Sequence, residues 1–233
     1  VHCAVGPDGS IYVADFYDAR ITHVDPRDNW DRSNGRIHRI RASDSKTSKP
    51  PDLGKLSSTQ LVDKLLEKNQ WARRHARRLL RTRSAEPSLD ELGRIVKEYN
   101  PDNDRSEQQA LEALWILQGT SLPKTNPSEM KEILLAALGS SSPDLQRWAI
   151  RIAADHGTPL GPALVEIASG TKHAEVISQL ASAARILGDR SLIEALARRG
   201  EFSADPFIPL QLWWALESLI SHHPVQAREL LSY

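Results

Sequence analysis

The sequence has little cysteine, no excess of charge of either sign and no long apolar run. Cys3 is the single cysteine in 233 residues, which excludes an internal disulfide, a two-cysteine metal site and the paired-cysteine attachment of a c-type haem. Thirty basic residues balance thirty acidic ones, so no overall field draws the chain towards nucleic acid or an anionic membrane. No apolar stretch approaches the roughly 20 residues that span a bilayer, and we expect no membrane insertion in this segment.

The composition is that of a folded protein, with 40% hydrophobic and 26% charged residues. These fractions allow a sizeable core and argue against intrinsic disorder. The chain opens on Val1 without an initiator methionine or a signal-peptide pattern. We therefore expect it to be a piece of a longer protein.

Small residues recur along most of the chain at a regular spacing. Ala76, Ala110, Ala149, Ala181 and Ala215 are separated by 34, 39, 32 and 34 residues, a period typical of stacked helical hairpins. The pattern predicts a mainly α protein, with a HEAT-like α-solenoid of about five hairpins over residues 57–233. The predicted pairs are 57–68 with 70–83, 88–99 with 105–118, 127–139 with 143–156, 159–169 with 173–187, and 190–199 with 206–221, followed by a short helix over 224–231.

Capping residues and glycines support these helix boundaries. Ser57 with Gln60 predicts a capping box, in which each side chain satisfies a backbone amide of the other. Further helix starts are predicted at Ser88, Asn126, Ser142, Thr158 and Ser191. Helix ends are predicted at Gly157, Gly188 and Gly200, because glycine adopts the left-handed conformation that follows many helices.

Residues 1–42 have a β pattern. Two runs, 1–5 and 10–16, flank Gly6-Pro7-Asp8-Gly9, whose residue types suit a tight turn, and a third run covers 35–40. Three short strands do not bury a face by themselves, so the sheet is expected to need a neighbour that this sequence does not supply. Residues 43–56 are polar with a paired proline, which predicts a linker between domains.

The β region resembles a known family through three segments: GPDGSIYVADFYDARI at 6–21, DPRDNWDR at 25–32 and GRIHRI at 35–40. Together they are similar to the closing blade of a bacterial β-propeller family of membrane-bound dehydrogenases, related to the sorbosone and soluble glucose dehydrogenases that use pyrroloquinoline quinone. Large members of that family continue into HEAT-like repeats and often end in a c-type cytochrome domain. Residues 1–42 are accordingly interpreted as the fragment of a terminal propeller blade.

The resemblance implies that this chain is the scaffold or protein-interaction portion of a quinone-dependent oxidoreductase. It implies no catalytic residue and no cofactor within these residues, with pyrroloquinoline quinone and c-type haem held elsewhere in the parent protein. The implied partners are the rest of the propeller in cis, and a cytochrome domain or another protein. The implied location is periplasmic or otherwise extracytoplasmic.

The loop between the second and third strands is crowded with charge. Asp25, Asp28 and Asp31 offer oxygen ligands for calcium, although the spacing is not that of an EF-hand; the alternative is a rigid loop of Asp–Arg pairs around Trp30. By the resemblance, a propeller cavity or an inter-domain contact would use residues of this loop, namely His23, Asp25, Arg27, Asp28, Trp30, Asp31 and Arg32.

A basic stripe is predicted on the second helix, opposite an apolar arc of Ala72, Ala76, Leu79 and Leu80. Its members, which form the candidate interaction surface, are Arg73, Arg74, Arg77, Arg78 and Arg81. Guanidinium groups suit phosphates, but ion pairing with Asp63 and Glu67 on the preceding helix, or docking against the acidic propeller loop, are alternative interpretations.

The tryptophans and the histidines indicate no functional site. Trp71, Trp115, Trp148, Trp213 and Trp214 all fall on second helices of the predicted pairs, where packing in the core is expected. The histidines have no metal-site spacing, so no metal is predicted.

The sequence leaves three functions open: the oxidoreductase scaffold, an autonomous HEAT-repeat scaffold that binds proteins, and a HEAT-like protein that binds nucleic acid.

Overall fold

The computed structural model describes residues 2–15, 27, 33–44, 49–83, 86–103 and 105–231. It is mainly helical, with a small antiparallel sheet at the amino end, which confirms the predicted fold class. By contact the chain divides into two compact units, Val1–Leu79 and Leu80–Tyr233. The predicted linker 43–56 lies inside the first of these.

The first unit contains a three-stranded sheet in the order β1-β2-β3. Its strands are β1 (His2–Val5), β2 (Ile11–Ala14) and β3 (Ile37–Ile40). The register pairs Val5 with Ile11 and Ile11 with Ile40. Every residue of β1 and β3 is exposed, as expected for a sheet of only three short strands.

The turn between β1 and β2 forms as its residue types predict. Gly9 has a φ of 76°, a conformation that glycine adopts without steric cost. The Asp8 carboxylate accepts hydrogen bonds from the Ser10 amide and the Ser10 hydroxyl, both at 3.1 Å, and from the Tyr12 hydroxyl at 3.3 Å. It also pairs with Arg39, which ties the turn to β3.

Helix α1 (Ser58–Asp63) begins at the predicted capping box. The Ser57 hydroxyl accepts from the Gln60 amide at 3.2 Å, and the Gln60 side chain accepts from the Ser57 amide at 2.9 Å. A 3-10 turn over Lys64–Leu66 ends this helical segment before the predicted residue 68. Helix α2 (Gln70–Arg83) follows.

The second unit is a solenoid-like stack of helical hairpins. Its helices are α3 (Glu86–Lys97), α4 (Ser106–Leu117), α5 (Leu122–Thr125), α6 (Pro127–Leu138), α7 (Pro143–His156), α8 (Gly161–Gly170), α9 (Ala174–Leu187), α10 (Arg190–Ala197), α11 (Ile208–His222) and α12 (Pro224–Leu231). Helices α4, α7, α9 and α11 pack one on the next, and α3, α6, α8 and α10 pack beside them. The predicted anchors Ala110, Ala149, Ala181 and Ala215 are fully buried in this stack.

Four further helix starts and ends form where the sequence predicts them. Asn126 and Ser142 cap α6 and α7 through amides at 3.2 and 3.1 Å. Gly157 and Gly188 are left-handed, with φ of 64° and 62°, and end α7 and α9. These four predictions are confirmed.

The other predicted caps are wrong. Ser88 lies inside α3, and α8 begins at Gly161, so Thr158 does not cap it. Asp189 rather than Ser191 caps α10, and Gly200 starts a 3-10 turn instead of ending a helix. At α10 the neighbouring Asp189 provides an equivalent cap, whereas Leu160, which precedes α8, makes no side-chain cap hydrogen bond. Residue type alone does not distinguish these cases.

Candidate functional site

Helix α2 is held in place by its apolar arc. Ala72 and Leu80 are almost completely buried and Ala76 is fully buried, while Leu79 at the margin of the arc is half-buried. The arginines between them therefore point to the other side of the helix. This side is the basic face of α2.

A polar contact fixes the beginning of α2 against the sheet. The Asn69 side chain donates to the Gly6 carbonyl at 2.9 Å and accepts from the Trp71 amide at 2.8 Å. One amide side chain thus joins the end of β1 to the first turn of α2. The two walls of the neighbouring cleft are fixed at this end.

The arginines of the basic face have different environments. Arg73 is half-buried and donates to the Glu67 and Lys68 carbonyls at 2.6 and 3.1 Å. The guanidinium of Arg81 lies against Gly119, where a β-carbon would collide with it. Arg77 is half-buried, whereas Arg74 and Arg78 are exposed. Arg74 and Arg78 line a cleft.

Asp63 and Glu67, the acidic candidates to neutralise the basic stripe, lie on the helical segment that precedes α2. Glu67 pairs through its carboxylate with Lys64 at 2.7 Å and through its backbone carbonyl with Arg73. Asp63 is exposed at the end of α1. The carboxylate of Glu67 is thus engaged by a lysine of its own helical segment.

A cleft of about 600 Å³ lies between β1 and the basic face of α2, within the first unit. One wall is the whole of β1 together with Ile11. The other wall is formed by Gln70, Trp71, Arg74, His75 and Arg78. The basic stripe predicted from the sequence includes Arg74 and Arg78. The strand, Gln70, Trp71 and His75 are not among the predicted site residues, and the spacing of Trp71 and His75, one helical turn apart, is the one local indication of them.

Trp71 and His75 stack in this wall. Their ring centroids are 5.0 Å apart and their planes are inclined by 8°. The Arg78 Nη2 lies 3.4 Å from the His75 Nδ1. Burial and the neighbouring charge of Arg78 lower the pKa of His75, against a smaller opposing influence of Asp52. The imidazole is therefore neutral at pH 7, and the positive charge of the cleft comes from the two guanidiniums.

Most of the acidic loop falls outside the described residues. His23, Asp25, Asp28, Trp30, Asp31 and Arg32 belong to that part, and Arg27 is exposed. Their predicted roles in a propeller cavity, an inter-domain contact or a calcium site stay predictions. Cys3 is exposed in β1, and one cysteine does not fit the two-cysteine attachment of a c-type haem.

None of the five tryptophans on the predicted second helices is fully buried, contrary to the expectation, and Trp71 is half-buried in the wall of the cleft. Trp115 and Trp148 are half-buried and meet edge to face, with centroids 5.4 Å apart and an interplanar angle of 74°. Trp213 and Trp214 are 56% and 41% exposed on α11. The buried positions of α11 are filled instead by the smaller side chains Ile208, Ala215 and Leu219.

In the ranges that the structure describes, no group of three or more histidine, cysteine or acidic residues is placed to hold a metal ion. Within the same ranges, no helix combines the length and the apolar character required to cross a membrane.

Comparison of the chain with protein family models and with curated proteins gives no match.

Proposed function

We propose that this chain is a scaffold that binds a partner protein, and that an acidic segment of the partner docks in the cleft between β1 and α2. The observation that carries the proposal is the pair of exposed guanidiniums, Arg74 and Arg78, in the wall of a cleft of about 600 Å³. Guanidinium groups bind carboxylates in a planar, bidentate manner. The flat Trp71–His75 stack adds apolar surface beside them.

The helical stack supports a role in binding. Arrays of helical hairpins present extended surfaces on a frame in which each repeat contacts its neighbours. Here the frame is well packed, since its recurring alanines and the leucines around them are buried. A rigid support lowers the entropy that is lost when a partner docks.

The parent protein is proposed to be a quinone-dependent oxidoreductase related to the sorbosone and glucose dehydrogenases. The support is the family resemblance of residues 6–40 and the exposure of β1 and β3, since a propeller blade is covered by its neighbours. On this proposal the rest of the propeller in cis covers the faces of the sheet and leaves the edge of β1 beside α2 open. Quinone and haem are held outside this chain, in an extracytoplasmic location.

The oxidoreductase proposal is tested on the full-length gene product. The purified protein is supplied with pyrroloquinoline quinone, and reduction of an electron-accepting dye is followed with sugars and alcohols as substrates. Quinone-dependent dye reduction is the expected result. A gene that encodes no further propeller blades, or a full-length protein without this activity, overturns the oxidoreductase proposal.

The binding proposal is tested with a fluorescein-labelled hexa-aspartate peptide and a hexalysine control. Fluorescence anisotropy is expected to show binding of the acidic peptide alone, weakening as salt is added because the contacts are ionic. The variant Arg74→Glu/Arg78→Glu is expected to lose roughly tenfold or more in affinity, since each change replaces attraction by repulsion.

The matched control is Lys124→Glu/Lys172→Glu. It changes two exposed basic residues of the second unit, and neither residue lines the cleft. This variant carries the same change in net charge and should bind the acidic peptide as the parent does. Equal losses in the two variants would mean that overall charge, not the cleft, attracts the peptide, and would refute the proposal.

A labelled DNA duplex is measured beside the peptide. Affinity for DNA that falls steeply with salt, without affinity for hexa-aspartate, would replace the scaffold proposal by the nucleic-acid alternative. The balanced charge of the chain, thirty basic and thirty acidic residues, favours the protein partner.

A further inference from the structure

We infer that the cleft binds its partner as an added β-strand: an extended peptide with carboxylates at alternate positions pairs with the edge of β1. The inference rests on the proposed function and specifies the conformation and the sequence pattern of the bound segment. It combines three observations, which are the open edge of β1, the course of the cleft and the spacing of two arginines.

The first observation is that β1 lies at an edge of its sheet. The strand order is β1-β2-β3, and in the described ranges β1 pairs only with β2. Backbone amides and carbonyls alternate between the two sides of a strand, so those of every second residue point away from β2. Such an edge is a template for another strand. All four residues of β1 are also exposed.

The second observation is that the cleft follows this edge. Successive side chains of a strand point to opposite faces of the sheet, so a cleft over one face would be lined by alternate residues. The cleft is lined by all four consecutive residues of β1, His2 to Val5, and at the Val5 end also by Ile11 of β2. It therefore runs along the side of β1 and reaches over the sheet at Ile11, with α2 as its second wall.

The third observation is the spacing of charge on α2. Arg74 and Arg78 are four residues apart and both line the cleft, which places them about 6 Å apart along the helix axis. Residues i and i+2 of an extended chain lie on the same side and are separated by about 6.6 Å. Two carboxylates at alternate positions of an added strand thus match the two guanidiniums.

The length of β1 suits a short bound segment. Four residues in extended conformation have a length of about 13 Å, and β1 has four residues. The Asn69–Gly6 hydrogen bond at 2.9 Å fixes the separation of the walls at one end. Recognition by strand addition combines hydrogen bonds of the backbone, which give affinity, with side-chain contacts at alternate positions, which give specificity.

A second copy of this chain is a poorer match to the cleft. Its own edge strand has the sequence His2-Cys3-Ala4-Val5 and contains no carboxylate. Pairing of two β1 edges would leave Arg74 and Arg78 without acidic partners. The occupant is therefore an acidic segment of a different protein.

Four fluorescein-labelled octapeptides of valine, threonine and two aspartates test the inference. In the first peptide the aspartates are at alternate positions, and in the second they are adjacent. The other two repeat the first with N-methyl groups on alternate backbone amides, one version for each edge of the strand. The first is expected to bind, the second to bind roughly tenfold more weakly, and one N-methylated version to lose binding while the other retains it, because only one edge of an added strand pairs with β1.

Amide hydrogen exchange provides a second measurement. The amides of β1 that point away from β2 should exchange more slowly when the first peptide is bound. In the Arg74→Glu/Arg78→Glu variant, both the binding and the protection should be lost.

The outcomes separate the two proposals. If the alternating peptide and both N-methylated versions bind equally and β1 gains no protection, strand addition is refuted while the acidic docking site remains. If hexa-aspartate and all of the octapeptides fail to bind, the proposed function itself is refuted. Dimerisation in sedimentation, with protection of β1 in the absence of peptide, would assign the edge to a second copy and overturn the inference.

Discussion

The imidazole of His75 lies parallel to the indole of Trp71, with the ring centroids 5.0 Å apart. The two residues are one helical turn apart, so the stack forms within α2 itself. Both rings line the cleft, and Arg78, which lines it too, approaches the His75 Nδ1. The stack thus links the aromatic wall of the cleft to one of its two exposed charges.

His75 is expected to titrate below its usual pKa of 6.5 in the folded protein, because burial and Arg78 both disfavour the imidazolium. The unfolded chain then binds more protons than the folded one, so the free energy of unfolding decreases as the pH falls below about 6.5. NMR titration of the imidazole carbons measures this pKa directly. In Arg78→Ala the pKa should rise but stay below 6.5, because burial remains; a value unchanged by the substitution would exclude the charge of Arg78 as a cause.

Asp8 is expected to support the sheet only when ionised. Burial opposes ionisation, but hydrogen bonds from Ser10 and the charge of Arg39 prevail and lower the pKa of the carboxyl. The contribution to stability is therefore present above the ordinary pKa of about 3.8 and is lost as the pH falls below it. Hydrogen exchange of the β2 amides should be faster in Asp8→Asn than in the parent at pH 6, and the difference should shrink on acidification. A constant difference between pH 6 and pH 2.5 would contradict this assignment.

Ala149→Glu should destabilise the helical stack by about 4 kcal/mol or more, because a charge would be buried between helices without a partner. Ala149 is fully buried in α7. The exposed residue Ala197, at the end of α10, provides the control: Ala197→Glu should change the free energy of unfolding by no more than about 0.5 kcal/mol. Urea unfolding followed by circular dichroism measures both. Equal stabilities would mean that the alanine periodicity does not mark the core.

Two substitutions on α11 distinguish its buried side from its exposed side. Leu219→Ala removes a fully buried side chain and should cost about 2–5 kcal/mol. Trp213→Ala removes a larger side chain that is 56% exposed and should cost about 1 kcal/mol or less. Thermal unfolding of the two variants orders them. A greater loss for Trp213→Ala would mean that this tryptophan packs in the core after all.

The two glycines at residues 157 and 200 should respond oppositely to alanine. Gly157 ends α7 with a φ of 64°, so Gly157→Ala should cost about 1–2 kcal/mol of strain. Gly200 does not have a positive φ, so Gly200→Ala should be neutral or stabilise by about 0.5 kcal/mol through the unfolded state. Chemical denaturation measures both changes, and a cost at Gly200 similar to that at Gly157 would contradict the observed helix ends.

Local patterns along the chain are sufficient to predict the helical hairpins. A helix buries residues at intervals of three and four, so the recurring alanines by themselves identify its inner side. Capping depends on residues within one turn, so residue types predict the caps at Ser57, Asn126 and Ser142, although the same residue types mispredict Ser88, Thr158 and Ser191. The turn at Gly6–Gly9 is predictable for the same reason, because its hydrogen bonds are made between neighbours.

The tertiary structure decides how these elements use their surfaces. The arginines of α2 look alike in the sequence, yet only the fold assigns Arg73 to backbone carbonyls, places Arg81 against Gly119, and leaves Arg74 and Arg78 exposed. Beside the cleft, a hydrogen bond joins Asn69 and Gly6, residues 63 positions apart. Contacts between residues so far apart in the sequence depend on how the elements pack, so residue spacing along a single element does not predict them.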